Sequence, residues 1–196
     1  MPCTRPQVPQ VLDQANSWTD AWNTRRQNDS AAAFKWPIVD KKPLNQHLLP
    51  DLMKMTAEHC AYCDGWPLGT TGQPTIDHFR PKSQFPDQAF QWPNLFPSCE
   101  RCQGQNGKAD NWHNDLLKPD ATDYTFERYF RYDPSSGRLE PDPEAPAEDQ
   151  TRAKTTIDLL GLNSGSRPKS RKREANRPSE LPENERPFRF IFRILG

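Results

Sequence analysis

The sequence has no apolar run approaching the roughly 20 residues that a bilayer-crossing helix requires, and Met1-Pro-Cys-Thr-Arg5 has no apolar core of the secretory kind. Together these absences point to a cytoplasmic protein with no membrane association. Net charge is absent too, with 26 Lys and Arg against 26 Asp and Glu. That balance excludes a uniformly basic surface coated by nucleic acid and confines any such contact to a local patch. Apolar residues are scarce at 33%, whereas prolines number 21, and mean hydropathy is -1.00. A chain of 196 residues with this make-up has material for one core surrounded by much loop, so a metal clamp would add to its stability. Only five cysteines are present, and their pairing reads as metal ligation in a reducing compartment rather than as a disulfide framework.

Four of the five form Cys60-Ala-Tyr-Cys63 and Cys99-Glu-Arg-Cys102, two knuckles separated by 35 residues. A two-residue spacer lets two thiolates from one tight turn point at the same ion, and zinc takes four such ligands tetrahedrally. With all four positions filled, that zinc is structural and not catalytic. Cys3 stands apart, near an end expected to be mobile.

Val11, Leu12, Ala15, Trp18 and Trp22 recur at three- and four-residue steps and predict an amphipathic helix from Val8 to about Gln27. A second helix is predicted from Leu44 to Glu58, Pro50 implying a late start or a kink. Thr75-Ile-Asp-His-Phe79, set between Pro74 and Pro81, reads as one strand of a small hairpin, and a short helix is predicted after the second cysteine pair. Aromatic residues from Tyr124 to Tyr132, followed by the turn Ser135-Ser-Gly137, predict a further hairpin. Pro141 to Glu148 reads as extended, and Thr151 to Leu162 as a helix stopped by Gly161. After Gly165, nine Lys and Arg face four Glu, leaving five net positive charges. Such a tail draws phosphates without sequence preference, stays solvated, or meets an acidic partner. Its end, Phe188 to Leu195, alternates charge with bulky apolar side chains and either docks as a strand or presents a sticky edge.

Inside the loop closed by the cysteines lies Asp77-His78, and Asn94 follows sixteen residues later. An imidazole there can take a proton from water while the adjacent carboxylate holds a divalent cation that polarises a phosphate. An amide at Asn94 can hold the histidine in the required tautomer. Arg80, Lys82 and Lys108 lie close by in sequence and are candidate contacts to a phosphodiester backbone, or ordinary solvated charges. His47 and His59 read as structural, and His113 as a surface or core histidine or as a ligand entering the site.

The arrangement Cys-x-x-Cys, Asp-His-x-x-Pro, Asn-Leu, Cys-x-x-Cys resembles the zinc-braced HNH endonucleases, or ββα-metal nucleases. With His59-Cys-Ala-Tyr-Cys63, Ile76-Asp-His-Phe-Arg-Pro-Lys-Ser83, Phe90-Gln-Trp-Pro-Asn-Leu-Phe96, Leu116-Leu-Lys-Pro-Asp120 and Thr156-Ile-Asp-Leu-Leu-Gly-Leu-Asn163, the chain is similar to the PtuB-type HNH subunit of Septu and certain retron antiphage systems. The resemblance runs from about residue 5 to 175. It implies an α+β fold, mainly helical, with a central zinc-braced ββα-metal unit and a small additional β-hairpin. The expected divisions are a helical region (1–58), the nuclease core (59–120), a hairpin plus helix (121–163) and the basic tail (164–196).

By the same resemblance His78 is the general base, Asp77 a ligand of a catalytic Mg²⁺ or Mn²⁺, and Asn94 the residue that positions the histidine. The family places its remaining metal ligand immediately after the last cysteine. Here the order is Cys102-Gln-Gly-Gln-Asn-Gly-Lys108, so Gln103 holds the sequence position and Asn106 is the alternative. The resemblance further implies DNA or RNA as substrate, a PtuA-type ATPase as partner, and a link to a retron reverse transcriptase with its msDNA. The competing expectation is a non-catalytic zinc-ribbon module that binds nucleic acid or protein.

Overall fold

The computed structural model describes residues 3–70, 73–105, 107–177 and 181–195; for 193–195 it describes the backbone alone. In chain order the regular elements are α1 (Ala15–Asn28), β1 (Ile38–Val39), β2 (Lys42–Pro43), α2 (Leu44–Thr56), β3 (Thr75–His78), β4 (Leu95–Ser98), α3 (Glu100–Gln103), α4 (Phe126–Tyr129), β5 (Phe130–Asp133), β6 (Arg138–Pro141), α5 (Ala147–Leu159), α6 (Arg167–Ala175) and α7 (Arg189–Leu195). The strands form three separate antiparallel hairpins, β1-β2, β3-β4 and β5-β6. No described helix is long and apolar enough to cross a membrane.

A small α+β protein results, in which helices, strands and loops share the core; β3-β4 is buried on both sides, whereas β1-β2 lies at the surface. Leu44, Leu48 and Leu52, spaced by four, are fully buried on one face of α2 and pack behind β4. Helix α2 starts at Leu44 and runs through Pro50, instead of starting late, and a left-handed Ala57 (φ 51) ends it by donating to Met53 O and Lys54 O. That reversal delivers Cys60. Helix α1 is preceded by a 3-10 turn at Gln10–Gln14 and buries Trp22, while Asn23 donates to Asp87 (2.5 Å) and Arg26 to Ser83 O (3.3 Å). The segment between β3 and β4 is thereby tied to α1.

Three expectations change on folding. The short helix expected after the second cysteine pair lies across it instead, as the single turn α3, with Cys99 at its start and Cys102 inside it. Aromatic residues 126–129 form the helical turn α4, and strand pairing begins only at Phe130. The basic tail holds two helices, neither of them a strand or a loose end. Helix α6 buries Arg167 and Arg171: Arg171 donates to Gly137 O, Leu162 O and Asn163 Oδ1, each at 2.8 Å. Gly137 (φ 75) permits this docking, because a Cβ there would lie 2.1 Å from Pro168 O. Helix α7 inserts Phe190 against Phe126 (ring centroids 4.1 Å apart), and Asp64 accepts from the Arg189 amide (2.6 Å) as well as pairing with its guanidinium. The other end is fixed as well. Cys3 packs against the core, and Arg5 binds Asp120 (2.7 Å), Trp92 O (2.7 Å) and Leu95 O (3.0 Å).

Candidate functional site

One hairpin organises two clusters. In β3-β4 the register pairs Thr75 with Ser98 at one end and His78 with Leu95 at the other, with Asp77 opposite Phe96. At the Ser98 end the two knuckles close on each other. The Sγ atoms of Cys60, Cys63, Cys99 and Cys102 lie within 4.8 Å of one another, and Cys63 and Cys99 are 3.8 Å apart. Four sulfurs bonded at about 2.3 Å to a tetrahedral zinc stand about 3.8 Å apart, so the set fits that ion. Donors to the sulfurs fit it too: the Cys99 amide points at Cys60 Sγ (3.4 Å) and Arg167 Nη2 at Cys102 Sγ (3.4 Å). Four thiolates around one divalent ion carry two negative charges, which explains why a guanidinium is tolerated in the interior beside them. Hydrogen bonding from its three neighbours holds the Cys99 thiol well below the usual range.

At the other end, Asp77 and His78 are 3% and 4% exposed, too little for ordinary surface polar residues. Successive residues of a strand point to opposite sides, and the two side chains meet different partners. The Asp77 carboxylate accepts from Tyr62 OH (2.5 Å) and pairs with Lys108 Nζ, 3.3 Å from Oδ1 and 3.2 Å from Oδ2. The imidazole of His78 stacks on Trp36 (centroids 5.4 Å apart, planes 17° apart) and meets Phe34 edge-on. Its Nε2 lies 2.9 Å from Ala89 O. A carbonyl only accepts, so Nε2 carries the proton and Nδ1 is left with a free lone pair. Burial, with Lys82 and Lys108 adding repulsion, pushes His78 down to about 3. Burial also raises the Asp77 carboxyl above its ordinary value and lowers the Lys108 ammonium, against the pull of their ion pair.

Asn94 contributes differently from expectation. Its Oδ1 accepts from the Arg80 amide (2.7 Å), and its Nδ2 donates to Arg80 O (3.0 Å) and Gln88 O (2.9 Å). It cross-ties the loop that carries Ala89, and the His78 Nε2 meets the Ala89 carbonyl rather than the Asn94 amide. Gln103 donates to Ile76 O (3.1 Å) beside Asp77, while Asn106 lies outside the described residues.

The three expected cationic contacts separate. Arg80 is exposed, its guanidinium 5.4 Å from the rings of both Phe85 and Trp112. Lys82 is half-buried over Phe34 (5.2 Å). Lys108 is fully buried, contrary to a solvent-facing phosphate contact, and donates to Asp77, His78 O (2.8 Å) and Ala109 O (3.4 Å). Gly107 brings it there: a Cβ at 107 would lie 2.4 Å from both Arg101 O and Cys102 O, and the Lys108 amide donates to Cys102 O (2.8 Å). A cavity of about 160 Å³ opens at this centre, lined by Asp77, His78, Pro81, Lys82, Gln103, Lys108, Ala109 and Asp110.

Sequence reasoning missed Tyr62, Trp36, Phe34 and Ala89. Tyr62 was visible inside the first knuckle, and Phe34-Lys-Trp36 is an aromatic pair in a stretch with no assigned element. Nothing in the residue type of Ala89 signals a role played by its carbonyl.

No protein-family model matches the chain. Over 113 residues it is 29% identical to the Septu protein PtuB of Bacillus thuringiensis. That stretch is 57% of this chain and 39% of the relative, so the chain spans well under half the length of the curated protein it matches. The chain is thus similar to a Septu PtuB over that stretch.

Proposed function

We propose that the chain is an HNH-type nuclease that hydrolyses phosphodiester bonds in nucleic acid, with His78 as general base. The observation that carries this reading is the state of the imidazole: neutral, buried, clamped between aromatic rings, proton on Nε2, and set in a cavity with two lysines. An uncharged imidazole with a bare nitrogen can accept the proton of an attacking water, and Lys82 faces the charge that then gathers on the phosphorus oxygens. Water gives its proton to the imidazole and adds to phosphorus, the P–O3′ bond breaks, and the leaving O3′ takes a proton from solvent, so that 5′-phosphate and 3′-hydroxyl ends result. A base held near 3 is weak until its substrate arrives; an anionic phosphodiester in the cavity favours the imidazolium and raises its proton affinity toward the working range. Asn94 and Ala89 keep the ring in register throughout.

Zinc at Cys60, Cys63, Cys99 and Cys102 supplies folding free energy and no chemistry in this reading. For a catalytic Mg²⁺ or Mn²⁺, Asp77 and Gln103 are the expected ligands among the described residues. Yet the carboxylate is already bonded by Tyr62 and Lys108, so the site as arranged does not fit a divalent ion alongside the ammonium.

Similarity to a Septu PtuB supports a role in antiphage defence; in this reading the nuclease acts in the cytoplasm with a PtuA-type ATPase or within a retron complex. The test is cleavage of single- and double-stranded DNA and of RNA by the chain with its ATPase partner, comparing wild type with His78→Ala. Loss of cutting by at least about 100-fold, at unchanged zinc content, is the expected result. Undiminished cutting contradicts the assignment, and absence of cutting by wild type on every substrate favours the non-catalytic zinc module.

A further inference from the structure

The ammonium of Lys108 occupies the place that a metal ion would take. It sits 3.2 and 3.3 Å from the two oxygens of the Asp77 carboxylate and 2.8 Å from His78 O. All three of its donors have oxygen acceptors, Ala109 O completing the set, and none of the side chain reaches solvent. A hard divalent cation seeks the same carboxylate oxygens at about 2.0–2.6 Å. Tyr62 OH holds Oδ2 from another direction, so the carboxylate has no unengaged oxygen to offer. Two cations cannot share one buried carboxylate without strong mutual repulsion.

We infer that Lys108 is the resident cation of Asp77 and that a divalent ion binds there only as the ammonium withdraws, the two being mutually exclusive on one carboxylate. The way out is short. The Lys108 backbone is fixed by its bond to Cys102 O, whereas its side chain has four rotatable bonds and borders the 160 Å³ cavity together with Lys82 and Asp110. Withdrawal turns a buried ion pair into a cation facing the cavity where a phosphodiester would lie. Metal loading and a lysine contact to the substrate thereby become one event, and the resting centre is shut. Only this last consequence rests on the nuclease reading; the exclusion itself is a statement about metal binding.

The experiment is a Mn²⁺ titration of the full, zinc-loaded chain followed by electron paramagnetic resonance, for wild type, Lys108→Met and Asp77→Asn. Lys108→Met is expected to bind Mn²⁺ at least tenfold more tightly than wild type, and Asp77→Asn to lose the site. Equal or weaker binding by Lys108→Met, or no binding by either, overturns the inference. Because an unpaired buried carboxylate can prevent folding, wild type provides a second readout through amine acetylation mapped by mass spectrometry. Lys108 is expected to be protected without Mn²⁺ and acetylated at least tenfold faster at saturation, a gain absent in Asp77→Asn. An unchanged rate overturns the inference. Neither readout involves cleavage, so a failed nuclease reading, seen as undiminished cutting by His78→Ala, stays distinguishable.

Discussion

The two ends of the β3-β4 hairpin solve the problem of burying polar groups in opposite ways. At the Ser98 end four like groups converge, and one ion of the correct charge and geometry would satisfy all of them. At the His78 end unlike groups are matched in pairs: carboxylate with ammonium and phenol, imidazole with carbonyl and indole. The first arrangement is closed, with no position left for a substrate. The second leaves a cavity and an imidazole nitrogen that makes no bond to Ala89 O. One end holds the hairpin; the other uses it.

If that contrast is correct, damage at the cysteines is the most severe. Structural zinc supplies folding free energy on the order of 10 kcal/mol. Cys60→Ser is therefore expected to give unfolded or insoluble protein, whereas His78→Ala folds and keeps its zinc, as circular dichroism and metal analysis would show. Equal melting of the two variants would erase the distinction. A smaller loss is expected where α6 braces the closed end. Arg171→Ala strips hydrogen bonds from the buried carbonyls of Gly137 and Leu162, at a cost of about 3 kcal/mol measured by denaturant unfolding.

The open end is expected to respond to pH. Unfolded, His78 takes a proton near 6.5; folded, it stays neutral to about 3. Between those values the unfolded chain binds more protons, so stability is complete above about 6.5 and falls as pH drops, by about 1.4 kcal/mol for each pH unit from this residue. His78→Gln should flatten that part of the slope in a series of urea melts. The smallest effect belongs to Trp36→Phe, which keeps a ring against the imidazole; Trp36→Ala admits water and is expected to raise the ring's proton affinity. Identical pH-rate profiles for the two would show that stacking does not set the base.

Much of the cysteine end was readable in the sequence, because Cys-x-x-Cys repeated across 35 residues encodes a local geometry that folding only has to bring together. The strand at Asp77-His78 and the helical runs were readable for a similar reason, being fixed by periodicity. What was not readable depends on contacts distant in sequence. Lys108 looks like any surface lysine until Gly107 turns the chain back under Asp77. Arg167 and Arg171 look like a basic tail until a helix places them against Cys102 Sγ and the carbonyls of Leu160, Gly161, Leu162 and Gly137. Asn94 was located but its partners were not, since an amide can bond to a ring or to a backbone and residue type does not choose.

The most direct measurement is nitrogen-15 NMR of the His78 imidazole in the zinc-loaded chain across pH. Nε2 is expected to be protonated and Nδ1 bare from pH 7 down to about 4, with no titration near 6.5. The opposite tautomer, or a ring that titrates near 6.5 as a solvated histidine does, would contradict it.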